Sequence, residues 1–205
     1  MPKGSPERTA ARKEEIINAC EKLYQTMSFK DITLKEIGNE TSFSRPTIYN
    51  YYQTKEEIFL ALFEREYVRW NEELTSILEK NKTLSKKQLA KKLATSIANR
   101  EQLLKLLAMN NYDMEANSRP EFLSSFKRAY GESLKNMNEL LEKFFPGKSA
   151  QEIRSIIYVF FPFMFGIYPY TSVTEKQKEA MKEAKVDFKY QTVFDITYDC
   201  LMRIL

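Results

Sequence analysis

Thr33-Leu34-Lys35-Glu36-Ile37-Gly38, followed by Phe43-Ser44-Arg45-Pro46-Thr47-Ile48-Tyr49-Asn50-Tyr51-Tyr52-Gln53-Thr54-Lys55-Glu56-Glu57-Ile58, is the part of the chain on which the fold turns. Thr33 and Glu36 have the hydroxyl–carboxylate spacing of a capping box, which opens a helix by satisfying its first free amides. That helix is expected to end near Glu40, and Thr41-Ser42-Phe43 to form a tight connection. Ser44 stands where it can cap a third helix, and Pro46 falls in the first turn, where a missing N–H does no harm. The third helix is expected to reach about Tyr52. Two short helices joined by about three residues have the spacing of a helix-turn-helix.

The flanks support the same reading. Ile16, Ile17, Cys20, Leu23, Tyr24 and Met27 recur on one face of a 3.6-residue period, which predicts a first helix over about Thr9–Met27 after a frayed basic arm at residues 1–8. Downstream, Thr54-Lys55-Glu56-Glu57 is a second capping box. It opens a longer helix toward Leu78 with Ile58, Phe59, Leu62, Phe63, Tyr67 and Trp70 on its buried side.

These residues resemble the TetR family of repressors over about residues 12–65. The family pattern is an apolar residue, Ser, two free positions, Thr, an aliphatic, Tyr, a free position, Tyr or His, and an aromatic, then a capped Lys-Glu-Glu. Here it is met by Phe43-Ser44, Thr47-Ile48-Tyr49, Tyr51-Tyr52 and Thr54-Lys55-Glu56-Glu57. Ser28 and Ser42 stand where the family usually has Gly, and Gly38 where it usually has Ala. A serine forced to positive φ costs energy, and Gly38 weakens its helix by roughly 1 kcal/mol relative to Ala.

The resemblance implies an all-α protein. A three-helix DNA-binding domain would occupy residues 1–54, and a larger helical effector-binding and dimerisation domain residues 55–205. It further implies a sequence-specific transcriptional regulator, a homodimeric repressor of a palindromic operator that a small-molecule ligand releases. The expected partners are double-stranded DNA, a second copy of the chain and an unidentified small-molecule effector. The expected mechanism is a tilt of the fourth helix that changes the separation of the two reading helices.

The side chains make physical sense for that role. Arg45, at the N-terminal end of the reading helix, can donate two hydrogen bonds to guanine. Pro46 and Thr47 are compact enough to meet a thymine methyl, and Tyr49, Asn50 and Tyr51 carry polar tips for phosphates or base edges. Ser44 joins this group as its first residue. Ile48 and Tyr52 face the core, while Tyr51 stands open between core and surface. Thr33, at a helix start, suits a phosphate; Lys35 can reach a phosphate or base, and Lys55 reads as a phosphate clamp.

The remainder is expected to be helical with short breaks. Ser85–Gln88, Ser149–Glu152 and Thr174–Gln177 each have capping-box spacing. One helix is expected from Arg100 to about Asp113, one from Arg119 to Phe145, an apolar one from about 149 to Phe165 stopped by Gly166 and kinked or ended early by Pro162, and a last one over Phe188–Ile204. The two apolar helices are the candidate dimer interface, through Ile153, Ile156, Ile157, Phe160, Phe161, Met164, Val193, Ile196, Thr197, Cys200, Leu201 and Ile204. Seven of the thirteen residues from Tyr158 to Tyr170 are aromatic. Tyr112, Met114, Tyr130, Met137, Phe163 and Met164 are the candidate ligand-pocket walls, because Met and aromatic side chains adapt to varied apolar shapes.

Composition removes several classes. The chain has no histidine, which excludes His-based triads and imidazole metal sites. It has no Gly-rich phosphate loop. No enzyme, metal or cofactor is therefore expected. The longest run without a clearly polar residue, Ile156–Tyr170, is 15 residues, short of a membrane span, and the N-terminus is polar, so a cytoplasmic protein without membrane contact is expected. Cys20 and Cys200 have no motif context. Residues 1–55 carry nine Lys/Arg against seven Asp/Glu, and the remaining residues 23 against 21, so bulk charge does not single out a DNA-binding half. The alternative reading is a helical protein–protein adaptor whose helix-turn-helix is vestigial.

Overall fold

The computed structural model describes residues 5–109 and 111–205, without the side chains of residues 111–113. Among these residues the regular structure is entirely helical: α1 (Pro6–Thr26), α2 (Leu34–Asn39), α3 (Arg45–Ile48), α4 (Lys55–Lys80), α5 (Lys86–Ala98), α6 (Glu101–Leu107), α7 (Asn111–Ala116), α8 (Pro120–Phe144), α9 (Ala150–Thr171), α10 (Glu175–Glu183) and α11 (Val193–Ile204). By packing, the chain forms two units, residues 1–65 with 110–128 and residues 66–109 with 129–205. The expected boundary at 54/55 is a division by function. The packing division falls instead within α4 and within α8.

In the first unit, α1 packs on α2 and α2 on α3. Ile16, Cys20, Tyr24, Ile32, Ile37, Ile48, Tyr52, Ile58, Phe59 and Phe63 are buried together as its core. Phe59 meets the rings of Tyr24 and Phe29 edge-on at 5.1 and 4.8 Å, and Phe63 lies 4.6 Å from Phe126. Arg65 ties α4 to α1 through Glu14 at 2.6 Å, Asn18 at 2.6 Å and Glu21 at 2.8 Å. α1 begins earlier than its apolar stripe suggested, because Ser5 caps it and Pro6 fits its first turn.

Two turn expectations change. Neither Ser28 nor Ser42 adopts positive φ; among the described non-glycine residues only Lys185 does. Ser28 instead donates to Asp31 at 2.6 Å, and the Ser42 amide donates to the Glu15 carboxylate. Gly38 has a packing reason: a Cβ there would lie 3.3 Å from Arg45 Cβ and 3.5 Å from Ile48 Cδ1, so its absence lets α3 approach α2 closely.

In the second unit, α11 packs on α5 and α9, and α6 on α9 and α5. The buried core includes Trp70, Leu74, Leu93, Ile97, Leu104, Leu140, Phe160 and Leu201. Two buried polar pairs lie within it: Trp70 Nε1 donates to Ser96 Oγ at 3.2 Å, and Asn136 Nδ2 donates to Asn71 Oδ1 at 3.2 Å. The boxes at Ser85, Ser149 and Thr174 all form reciprocally.

The expected helix from Arg100 to Asp113 is two, α6 and α7. The last helix starts only at Val193, where Thr192 and Asp195 make a capping box. α9 passes through both Pro162 and Gly166 and ends at Thr171 rather than near Phe165. Each proline in α9 keeps helical φ and forfeits one i→i−4 bond, to the carbonyls of the exposed residues Tyr158 and Phe165, while the buried row from Ile153 to Ile167 holds the helix in place. At 22 residues α9 is long and apolar enough to cross a membrane, contrary to the 15-residue count. Its inner row, from Ile153 to Ile167, is buried in the second unit's core.

Candidate nucleic-acid interface

α3 is only one turn long, and its side chains divide sharply. Ile48 is fully buried, whereas Ser44, Arg45, Pro46, Tyr49 and Asn50 are exposed and Thr47 half-buried. The helix does not reach Tyr52 as a regular α-helix. It continues as hydrogen-bonded turns, with Asn50 N donating to Thr47 O at 3.2 Å, Tyr51 N to Ile48 O at 2.8 Å and Tyr52 N to Ile48 O at 2.9 Å. Ser44 occupies the cap position with extended backbone but makes no side-chain cap bond; its Oγ lies 3.3 Å from Thr47 Oγ1. Two hydroxyls, an exposed guanidinium and an exposed phenol thus share one short outward ridge.

Arg45 and Tyr49 form the head of that ridge. Arg45 Nη2 donates to Tyr49 Oη at 3.2 Å, one helical turn away, with the guanidinium 6.0 Å from the ring centroid. This loose, exposed contact leaves Arg45's other donors free to face a partner. Tyr51 is half-buried, its Oη 3.5 Å from Arg12 Nη1, and Arg12 itself lies over the Phe43 ring at 5.5 Å. Tyr52 is core.

α2 presents Thr33 and Lys35, both exposed. The Thr33 hydroxyl accepts from Lys35 N at 3.2 Å and Glu36 N at 3.4 Å and donates to the Glu36 carboxylate. The start of α2 is therefore already capped and carries a negative neighbour. Lys55 differs from its sequence reading. Its Nζ donates to Phe29 O at 2.6 Å and Ile32 O at 3.0 Å, with Lys30 O at 3.5 Å, and sits 4.2 Å from the Phe29 ring centroid. A cation so engaged braces the 29–32 turn against the start of α4.

Sequence reading also missed Glu57. It is fully buried, and its carboxylate is held by Arg119 and by the Gln53 amide at 2.7 Å. Burial opposes its charge, but hydrogen bonds from the Arg119 side chain and from the Gln53 and Arg119 amides outweigh that, and the carboxyl is held below the usual carboxylate value. No local signal links residues 62 apart.

The remaining candidates scatter. Of the pocket residues, Met114 lies buried in the first unit, whereas Met137 and Met164 are buried and Tyr130 and Phe163 half-buried in the second. The side chain of Tyr112 lies outside the described residues. Tyr130 belongs to a cluster of rings with Tyr67, Trp70 and Phe161, at centroid distances of 5.7–6.3 Å. Of the dimer candidates, Ile153, Ile156, Ile157, Phe160, Phe161, Met164, Thr197 and Leu201 are buried within the single chain. Val193, Ile196, Cys200 and Ile204 are half-buried. The outward face of α9 consists instead of Tyr158, Val159, Pro162, Phe165, Pro169 and Tyr170, with Tyr158 76% exposed.

Comparison with known proteins fits this architecture. Residues 16–62 match the profile of the bacterial regulatory proteins, tetR family, and residues 64–198 that of the tetracyclin repressor-like C-terminal domain. The chain belongs to the TetR family. YfiR of Bacillus subtilis, an uncharacterized helix-turn-helix-type transcriptional regulator, is similar to this chain at 32% identity over 63 residues, 31% of this chain and 31% of its own length. This TetR-family fold is also that of the fatty acid degradation regulator FadR from Bacillus halodurans, at 16% identity and TM-score 0.60 over 99% of this chain and 96% of that one. FadR from Bacillus subtilis in complex with stearoyl-CoA matches at 17% identity and TM-score 0.60, over 93% and 96%.

Proposed function

We propose that this TetR-family chain is a homodimeric repressor that reads a palindromic operator with α3 and releases it on binding a small-molecule effector. The observation that carries the reading is the division of α3. Ile48 anchors it while Ser44, Arg45, Pro46, Thr47, Tyr49 and Asn50 face outward as a ridge narrow enough for a major groove. Lys35, beside the capped Thr33, supplies a flanking phosphate contact, and Tyr51, steadied by Arg12, stands at the edge of the ridge. Lys55 contributes by bracing the turn before α2.

One such ridge covers a half-site, so the reading requires two copies. The outward row of α9, with Tyr158, Val159, Pro162 and Phe165 at helical spacing, is the surface proposed for the partner copy, since an apolar stripe of this kind on a capped helix is left to be covered by another chain. α11, packed beside α9, extends it through Ile196, Cys200 and Ile204. An apolar effector is proposed for the second unit, where the Tyr67–Trp70–Tyr130–Phe161 cluster and the buried Met137 and Met164 of the same unit can repack around an aliphatic chain. Long-chain acyl-CoA is the first class to test, given the stearoyl-CoA complex of a protein with the same fold.

Selection of bound duplexes from random DNA by the purified protein tests the reading. Enrichment of a dyad-symmetric site, released by stearoyl-CoA but not by free coenzyme A, is the expected result. Retention of no duplex at low ionic strength refutes DNA recognition; release by neither compound refutes only the acyl class.

A further inference from the structure

A single turn of helix cannot hold its own orientation, because helix formation is paid back only over several turns. α3 is such a turn, so whatever fixes its two ends fixes the reading ridge. Its inner side is held by Ile48. Its exit, at Tyr51-Tyr52-Gln53, is held from a distant part of the chain.

Arg119 does the holding. Its Nη2 donates to the Tyr51 carbonyl at 3.0 Å, across 68 residues of sequence. The same Nη2 donates to Glu57 Oε2 at 2.9 Å, Nε donates to Glu57 Oε1 at 2.6 Å, and the Arg119 amide donates to Oε1 at 3.2 Å. Glu57 Oε2 accepts in turn from Gln53 N at 2.7 Å, at the exit itself. Beside them, Thr54 Oγ1 donates to Asn117 O at 2.9 Å. The Arg119 guanidinium lies 4.8 Å from the Phe122 ring, which packs 5.3 Å from the ring of buried Tyr52. Three consecutive residues at the exit, Tyr51 to Gln53, are thus each fixed by a contact to Arg119, Phe122 or Glu57. The planar fork spreads its donors over Nε and Nη2, so it spans both carboxylate oxygens and still reaches the carbonyl; a lysine ammonium is a single point donor and does not reproduce that spread.

We propose that Arg119 is a positioning residue for DNA recognition, which sets the pose of α3 by holding the Tyr51 carbonyl while anchored on buried Glu57. The segment leading into α8 is then a working part of the DNA-reading head, although it lies beyond the N-terminal family match at residues 16–62. Lifting the start of α8 withdraws the bond and frees the exit of α3. This rests on the reading of α3 as the helix that meets DNA.

The test uses the full chain and, as probe, a duplex that the unaltered protein selects from random sequence. Arg119→Lys keeps a cation beside Glu57 but loses the reach to Tyr51. Affinity for the selected duplex should fall by about tenfold or more, the worth of a charged hydrogen bond. Affinity for an unrelated duplex and the salt dependence should stay as they were, and amide exchange should quicken at residues 49–53 relative to α1. The double variant Glu57→Gln/Arg119→Met, which leaves no buried charge unpaired, should show the same loss of selectivity. Equal losses on both duplexes with a shallower salt dependence would make Arg119 a phosphate ligand and overturn the proposal. So would a lower melting temperature with selectivity and exchange unchanged, which is what a purely structural brace gives. Failure of the unaltered protein to select any duplex would instead count against the DNA-reading function itself.

Discussion

Replacing Lys55 with Met separates two roles that a lysine at a helix start can have. The substitution keeps an unbranched side chain of similar length and removes the cation. In the structure that cation makes two good hydrogen bonds to backbone carbonyls, at 2.6 and 3.0 Å, and faces the Phe29 ring. A charged hydrogen bond contributes about 1.5–3 kcal/mol and an exposed cation–π contact about 0.5–1 kcal/mol. Lys55 is half-exposed, so water can replace part of this, and a net loss of about 2 kcal/mol is expected. For a chain of 205 residues that lowers the melting midpoint by about 4–8 °C. Thermal unfolding followed by circular dichroism reads the first effect, and binding to duplex DNA across a salt series reads the second. The salt slope should be unchanged, because no phosphate contact is lost. An unchanged midpoint together with a slope shallower by about one would refute the brace and restore the phosphate clamp.

Further outcomes follow from the same geometry. Arg45→Ala should cost on the order of 1–3 kcal/mol on the selected duplex and relax one base position, read by repeating the selection with the variant; an unchanged consensus would count against base contact by Arg45. Val159→Lys with Phe165→Glu places charges on the outward row of α9 and should shift the protein toward monomer in analytical ultracentrifugation, with helicity retained; an unaltered sedimentation coefficient would move the proposed interface elsewhere. Because Glu57 is held below its ordinary value of 4.5, its contribution is complete above that pH and is lost as pH falls through the lower folded value. Urea midpoints between pH 6 and 3 should therefore fall more steeply for the unaltered chain than for Glu57→Gln, and parallel curves would deny Glu57 that role.

How far the sequence could be read depended on whether the deciding contact was local. Capping boxes are local, so the starts of the helices after Ser85, Ser149 and Thr174 could be placed from hydroxyl and carboxylate spacing alone; at Thr54 only the hydroxyl half forms, because the Glu57 carboxylate is taken by Arg119 and the Gln53 amide. α9 shows the opposite case. Proline and glycine read as stops, yet the buried row from Ile153 to Ile167 outweighs two missing hydrogen bonds. Because α9 is apolar on every side, its periodicity could not say which row faces inward, and the expected dimer residues proved to be largely the inner row. For Lys55 the residue type and position suited a phosphate and a carbonyl cluster equally, and only the fold of the 29–32 turn distinguishes them. The Arg119–Glu57 pair was out of reach altogether, since nothing in either residue's neighbourhood announces a partner 62 positions away.

The most direct test is the stoichiometry and footprint of the protein on its selected duplex, measured together by sedimentation and hydroxyl-radical protection. Two chains per duplex are expected, protecting two major-groove segments related by a dyad and separated by one helical turn or a multiple of it. One chain per duplex, or protection without any preferred base sequence, would contradict the paired α3 ridges as the means of recognition.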